Sequence, residues 1–319
     1  KINGIGLNAV KQLKYFDGFN DAKQIIETAK TTNTQLIPIS SKDFPQRLKI
    51  IEDSPSLLYY QGNANLHPEK SINIVGTRNA TSYGYDFLDE FIPSLKTLNL
   101  TVVSGLAYGI DVYAHKLCLK HNIPTIGVMA NGIDRIYPSV HKDIALQMKK
   151  NGGLLTENTF GAKPDAPKFP ARNRIIAGLS DATIVVEATA KGGAMITAEI
   201  ANQYNKDVFA LPGDYKKPQS VGCNNLIKQH KAHLISSVKD LCYIMRWEEG
   251  QSTSSPKHKL DLTKLTEQEI SIVNSLVQYK ELSLDRLAMQ TQIPVNKLAS
   301  ILLTMEFSDL IKPLTGNCF

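Results

Sequence analysis

Between residue 71 and about residue 212, short apolar runs alternate with longer amphipathic stretches. The runs are INIV (72 to 75), TVVS (101 to 104), TIGVM (125 to 129), GLLT (153 to 156), ATIVVEA (182 to 188) and DVFALP (207 to 212). Segments with apolar residues at helical spacing lie at 82 to 98, 109 to 121, 139 to 150, 170 to 179 and 194 to 204. Strand followed by helix, repeated along the chain, predicts an α/β fold with a parallel sheet and helices on both faces. Runs that are apolar throughout, as TIVV is, fit strands buried on both sides.

The flanks follow other rhythms. Residues 1 to about 60 read as short helices with turns, a small helical domain of helix-hairpin-helix or SAM-like type. Its Gly4-Ile5-Gly6 turn could offer backbone amides to a phosphate, and a plain helical cap over the next domain explains it equally well. Residues 61 to 247 hold the alternating pattern. The Ser-rich stretch EEGQSTSSPKHK, 248 to 259, breaks it and reads as a linker. Residues 260 to 319 carry three helical patterns, EQEISIVNSLVQ, SLDRLAMQTQ and PVNKLASILLTMEFSDLI, the rhythm of a winged helix.

Composition narrows the class. The 319 residues are 42% hydrophobic and 21% charged, enough to bury a substantial core. No stretch approaches the roughly 20 apolar residues of a membrane span. The sequence opens without Met, as it would if a segment preceded it, and without a secretion-signal pattern, so a cytoplasmic location is expected. Cys118, Cys223, Cys242 and Cys318 lie too far apart for a C-x-x-C site and read as incidental thiols. The net charge of +6 is uneven: residues 260 to 319 carry five Lys/Arg against seven Asp/Glu, so the positive surface belongs to the body. Such a surface suits a polyanionic partner. The acidic tail module gains nothing electrostatically from DNA, so protein contact or a structural role stands beside DNA binding for it.

In an open α/β sheet, ligands meet the loops at the carboxyl ends of the strands. The first such loop, GTRNAT, offers Gly76, Thr77 and the bidentate donor Arg78. The second, SGLAYGID, offers Ser104, Gly105, Gly109 and Asp111; the third, ANGIDRIYPSVHKD, carries Tyr137, which could pack or stack. Beyond the fourth strand and Glu157, residues 161 to 174 set Lys163, Lys168, Arg172 and Arg174 against the single anion Asp165, with Phe169 among them. Cations interleaved with a ring suit single-stranded nucleic acid, where stacking adds roughly 1–3 kcal/mol per base. After the fifth strand, Glu187 faces a ligand or anchors a neighbouring loop, and Lys191, Gly192 and Gly193 precede a helix whose amides could meet a phosphate.

Arg172 and Arg174 flank Asn173 near a helix N-terminus, where each exposed cation opposes the macrodipole by roughly 0.3–1 kcal/mol. Folding alone would not select them. Two residues apart in a helix, they point about 200° away from each other, so one is expected to face the ligand and the other to brace the loop. Arg174 pairing with Glu157 is the structural alternative. Pro170 is expected to start this helix, with Ile175, Ile176 and Leu179 on the sheet. The sequence has neither G-x-G-x-x-G nor G-x-x-x-x-G-K-[ST], and no grouped nucleophile, base and metal ligands. A binding site without cofactor, metal or catalysis is expected.

The pieces IVGTRNAT, VVSGLAYGID, GVMANGIDRIYPSVH, FPARNRIIAGLSDATIVVEA, GGAMITA, VFALPGD and SVGCNNLIKQHKAHLI, in that order, resemble the DNA-processing protein A (DprA, or Smf) family across about residues 55 to 236. The resemblance implies an extended Rossmann-like sheet flanked by a small N-terminal helical domain and a C-terminal winged helix. It also implies a homodimer that binds and protects incoming single-stranded DNA and loads the RecA recombinase during natural transformation. Arg78 and the cations of the loop ending in RNR would line the DNA pocket. The chain departs from the family pattern at Lys191-Gly192, where Ser-Gly is common and Lys191 adds a candidate cation, and at KQHKAHL. A nucleoside-monophosphate hydrolase, with a P-G-G-x-G-T-x-x-E signature, is the enzymatic alternative; KGGAMITAE lacks its second glycine-threonine pair.

Overall fold

The computed structural model describes residues 17–247, 265–279, 282–308 and 310–311, with Gly6, Val10, Lys14 and Tyr15. Residues 1–250 and 251–319 are separate compact units. The first unit runs α1 (Phe19–Thr31), β1 (Gln35–Pro38), α2 (Gln46–Lys49), β2 (Leu57–Gly62), β3 (Lys70–Gly76), α3 (Ser82–Ser94), β4 (Leu100–Ser104), α4 (Ile110–Lys120), β5 (Thr125–Val128), α5 (Lys142–Met148), β6 (Gly152–Thr156), α6 (Lys168–Leu179), β7 (Ala182–Val186), α7 (Gly193–Gln203), β8 (Asp207–Ala210), α8 (Pro218–Lys228), β9 (His233–Leu234) and α9 (Val238–Met245). Its strands form one sheet in the order β1-β2-β6-β5-β4-β3-β7-β8-β9. From β6 to β9 the pairing is parallel, while β2 joins β6, and β1 joins β2, antiparallel.

The six predicted strands are all present, and alternation of side chains sorts them between two cores. Ile72, Ile74, Val102, Ile184 and Phe209 face α3, α4 and α9, whereas Val75, Val103, Val185 and Val208 face α6, α7 and α8. That period of two is the reason an all-apolar strand needs helices on both sides. The pattern of residues 1 to 60 predicts helices alone; α1 and α2 are helical, but β1 and β2 are strands that the pattern misses. Gly4 and Ile5 of the predicted turn, and the predicted linker at 248–259, lie outside the described residues.

Helix α6 begins at Lys168, two residues before the expected Pro170. Proline fits there because the first-turn N–H groups have no helical acceptor to lose. Ile175, Ile176 and Leu179 lie buried in the core, as their spacing predicts. At the far end, Lys206 donates to the carbonyls of Ala177, Gly178 and Ser180 at 2.9, 2.7 and 2.7 Å. A distant cation thus caps the negative end of a helix that has no basic residue in its last turn.

His115 of α4 ties two strand ends together. Its Nε2–H donates to the Gly105 carbonyl at 2.6 Å, and Nδ1 meets the Thr125 hydroxyl at 2.7 Å. Burial pushes the imidazole down to about 4, so it is neutral in the fold. The second unit packs α10 (Glu267–Tyr279), α11 (Leu284–Thr291) and α12 (Val295–Phe307) around Ile272, Leu287, Leu298, Leu302 and Met305. Each of its three helical patterns becomes a helix.

Two stability predictions follow from this packing. Ile175→Ala, at a fully buried position, destabilises the first unit by about 2–5 kcal/mol, read from chemical denaturation. For His115 the unfolded chain takes up a proton near 6.5 whereas the folded chain resists until about 4. Stability from this residue is therefore present above that window and falls as pH drops through it. Relative to His115→Gln, the wild type loses about 1.4 kcal/mol per pH unit across the window. Parallel pH profiles for the two proteins contradict this assignment.

Candidate nucleic-acid interface

Strand order reverses around β3, whose neighbours are β4 and β7. A crevice opens at such a switch point because the connections on either side leave in opposite directions. It is a cleft of about 860 Å³, lined from five strand-to-helix connections by Gly76, Thr77, Arg78 and Asn79, by Asp111, by Tyr137, by Phe169, Arg172 and Asn173, and by Thr189, Gly192 and Gly193. The N-termini of α4, α6 and α7 line it, and that of α3 follows the loop that bears Arg78.

Arg78 is exposed, its guanidinium carbon 5.8 Å from the centre of the Phe169 ring. Among the described residues no carboxylate lies within salt-bridge distance of it. Tyr137 sets its ring 5.9 Å from that of Phe169, tilted by 54°. On the opposite wall Gly192 and Gly193 are exposed at the start of α7. A β-carbon at Gly192 would meet nothing nearer than 3.7 Å, and one at Gly193 nothing nearer than 4.0 Å. Packing does not demand glycine there, so the space beside these amides is open to a ligand.

The two arginines of the RNR segment part company. Arg172 is 7% exposed and lines the cleft. It donates through Nη1 to the Val128 carbonyl and through Nε to Asn173 Oδ1. Burial draws its pKa down, Asp111 opposes that shift, and Arg78 reinforces it. Arg174, with its side chain 18% exposed, points to a second hollow on the other side of α6. There its Nη2 pairs with Glu157 Oε2, and Nε lies 3.6 Å from Asp53 Oδ2. The opposed directions expected for a helix hold, and Arg174 is a brace.

Asp111, in the first turn of α4, is the residue whose role the sequence reading missed. Its carboxylate and the Arg172 guanidinium both crowd Gly105, where a β-carbon would lie 2.8 Å from either Arg172 Nη atom. Burial lifts Asp111 to about 6, against Arg172, the Ala107 amide, Arg78 and the Gly76 amide, which favour its charge. An acid just after Gly109, which adopts φ +74, is the available sequence signal, since helix N-termini favour carboxylates.

The other predicted residues take several places. Ser104 lies behind the cleft, its hydroxyl donating to the Ile74 carbonyl at 2.6 Å within the sheet. Lys163 is exposed outside the cleft lining, and Lys168 bends back to donate to the Lys163 carbonyl at 3.0 Å. Lys191 is exposed beside the α7 terminus. Asn173 donates to the Gly193 carbonyl at 3.2 Å, joining α6 to α7. Glu187 anchors the Arg78 loop: its carboxylate accepts from Thr81 N at 2.8 Å and Thr81 Oγ1 at 2.6 Å. Among the described residues no group of three or more His, Cys, Asp or Glu could hold a metal ion.

The family model of DNA recombination-mediator protein A matches residues 35–246, and that of the DprA winged helix domain matches residues 256–317. Protein Smf of Synechocystis is 33% identical over 92% of this chain and 81% of its own length. DNA processing protein DprA of Bacillus subtilis is 39% identical over 68% of this chain and 73% of its own. The crystallised DNA processing protein A of Streptococcus pneumoniae superposes with a TM-score of 0.67 at 34% identity, over 75% of this chain and 81% of that one. That of Helicobacter pylori, solved for its single-stranded DNA binding mode, superposes with a TM-score of 0.59 at 28% identity, over 67% of this chain and 97% of that one. With its mostly parallel sheet and C-terminal winged-helix domain, the chain belongs to the DNA recombination-mediator protein A (DprA/Smf) family.

Proposed function

We propose that the protein is a DNA-processing protein that binds single-stranded DNA in the cleft at the β3/β7 switch point. The observation that carries the reading is the pairing of the exposed Arg78, set over the Phe169 ring, with the open amides at the start of α7. A cation and a helix terminus take phosphates, and an accessible ring takes a base face, which duplex DNA keeps stacked inside. Gly76, Thr77, Arg172, Asn173, Gly192 and Gly193 form the wall; Lys163, Lys168 and Lys191 add positive charge around it. The function follows from holding the strand: protection of incoming DNA and delivery to RecA during natural transformation, by a homodimer in the cytoplasm. No helix among the described residues is long and apolar enough to cross a membrane.

Binding rather than catalysis is supported by how the nearby titratable groups are engaged. His115 and His141 hold the carbonyls of Gly105 and Leu106, and Glu187 holds Thr81. No cofactor is needed for the proposed role.

A gel shift with matched single- and double-stranded oligonucleotides tests the reading. The single strand binds more tightly, with little sequence preference and with affinity falling as salt rises. Arg78→Ala weakens binding to all sequences and lowers the salt slope by about 1. Arg174→Ala, whose charge is turned to Glu157 and Asp53, lowers thermal stability and leaves the salt slope unchanged. Equal binding by wild type and Arg78→Ala removes the proposed pocket.

A further inference from the structure

Glu187 sits at the end of β7 with φ +54, in the left-handed region that costs a non-glycine residue free energy. Its carboxylate is buried, and among the described residues no cation lies within salt-bridge distance. A buried carboxylate needs donors, and this one has them on the neighbouring loop. Thr81 N and Thr81 Oγ1 each take one oxygen, while the Glu187 carbonyl accepts from Thr77 N at 2.8 Å. Thr81 is the N-cap of α3, and its side chain makes no capping bond of its own. Glu187 therefore fills the positive end of α3 from another strand. Gly84 makes room, since a β-carbon there would stand 2.5 Å from Glu187 Oε2.

The segment held at both ends by these bonds is Thr77 to Thr81, and it carries Arg78. Within it, Asn79 N donates to Thr77 Oγ1 at 3.2 Å, and Ile110 N donates to Thr77 O at 3.3 Å. Among the described residues no ion pair steadies Arg78, so its placement over Phe169 rests on the loop. We infer that Glu187 is a positioning residue for single-strand binding: a latch from β7 that fixes the Arg78 loop through Thr81. The inference rests on the binding reading above.

The sign of the effect separates a latch from a mere nearby charge. Removing an anion beside a site for a polyanion strengthens binding by Coulomb attraction alone, whereas releasing the loop weakens it. In Glu187→Gln the amide turns so that its oxygen accepts from Thr81 N and its NH₂ donates to Thr81 Oγ1, but both bonds become neutral and the charge at the start of α3 is gone.

Fluorescence anisotropy with a labelled oligothymidylate, on the full chain, reads the outcome, with thermal melting to verify folding. Glu187→Gln weakens binding by about tenfold, as two charge-assisted bonds become neutral ones. In the Arg78→Ala background the same change has little further effect, because the arginine that the latch positions is gone. Thr81→Val weakens binding as Glu187→Gln does, and Thr81→Ser, which keeps the hydroxyl, restores it; this pair also serves if Glu187→Gln does not fold. Unchanged or tighter binding by Glu187→Gln and Thr81→Val overturns the latch, as does an additive double mutant. If the wild type fails to bind the oligonucleotide, the binding reading falls and the latch with it. If Arg78→Ala weakens binding while Glu187→Gln does not, the latch alone falls.

Discussion

The positive ends of four helices converge where the sheet's strand order reverses, and the rest of the site depends on how each end is filled. A parallel sheet buried on both faces has this consequence, because each crossover returns a helix N-terminus to the carboxyl edge of the strands. At α3 the end is occupied by the carboxylate of Glu187, and at α4 by that of Asp111. At α6 the chain places cations instead. At α7 it places two glycines with open space beside them. An outside anion finds two ends closed by internal carboxylates and one end open next to arginines, so the chain's own acids direct it toward α7.

The same logic explains why the arginines differ. Arg172 is buried, so its charge is costly to desolvate and must be met by the Val128 carbonyl and by Asp111. It is a fixed wall. Arg78 stays in water over an aromatic ring and retains free donors for a ligand. Arg174 closes the far side of α6 against Glu157 and Asp53. The unfavourable placement of cations in the first turns of α6 is offset locally by these partners, and the helix's other end is secured by Lys206.

The strands of the central sheet were legible because burial on both faces leaves nothing but apolar residues in runs such as TIVV. The antiparallel ribbon was not: QLIP is short and half exposed, and LLYYQG sits in a region whose neighbours have helical spacing. Strand β9, of two residues, carries no period at all. At the site, Gly76, Arg78, Phe169, Arg172, Asn173 and the Gly192-Gly193 pair were readable from their place after strands. The partners of Ser104, Arg174 and Lys168 were harder to read, because a side chain's direction depends on neighbours distant in sequence. The Coulombic coupling of Asp111 to Arg172 and the hydrogen bonds of Glu187 with Thr81 join residues distant in sequence, and no local pattern encodes them.

That two buried carboxylates stand beside a cleft proposed to hold a polyanion is a consequence of keeping the empty cleft ordered. Without them, the Arg172 charge would lose its acidic neighbour, and the loop bearing Arg78 would lose its bonds to Glu187. Asp111 lies against Gly105 and Glu187 against Gly84, each at a position where a glycine admits the carboxylate and a β-carbon would not. In the proposed site, charge of both signs thus divides by exposure: buried Asp111, Arg172 and Glu187 are engaged within the fold, and the exposed Arg78 and the α7 terminus are left to meet a ligand.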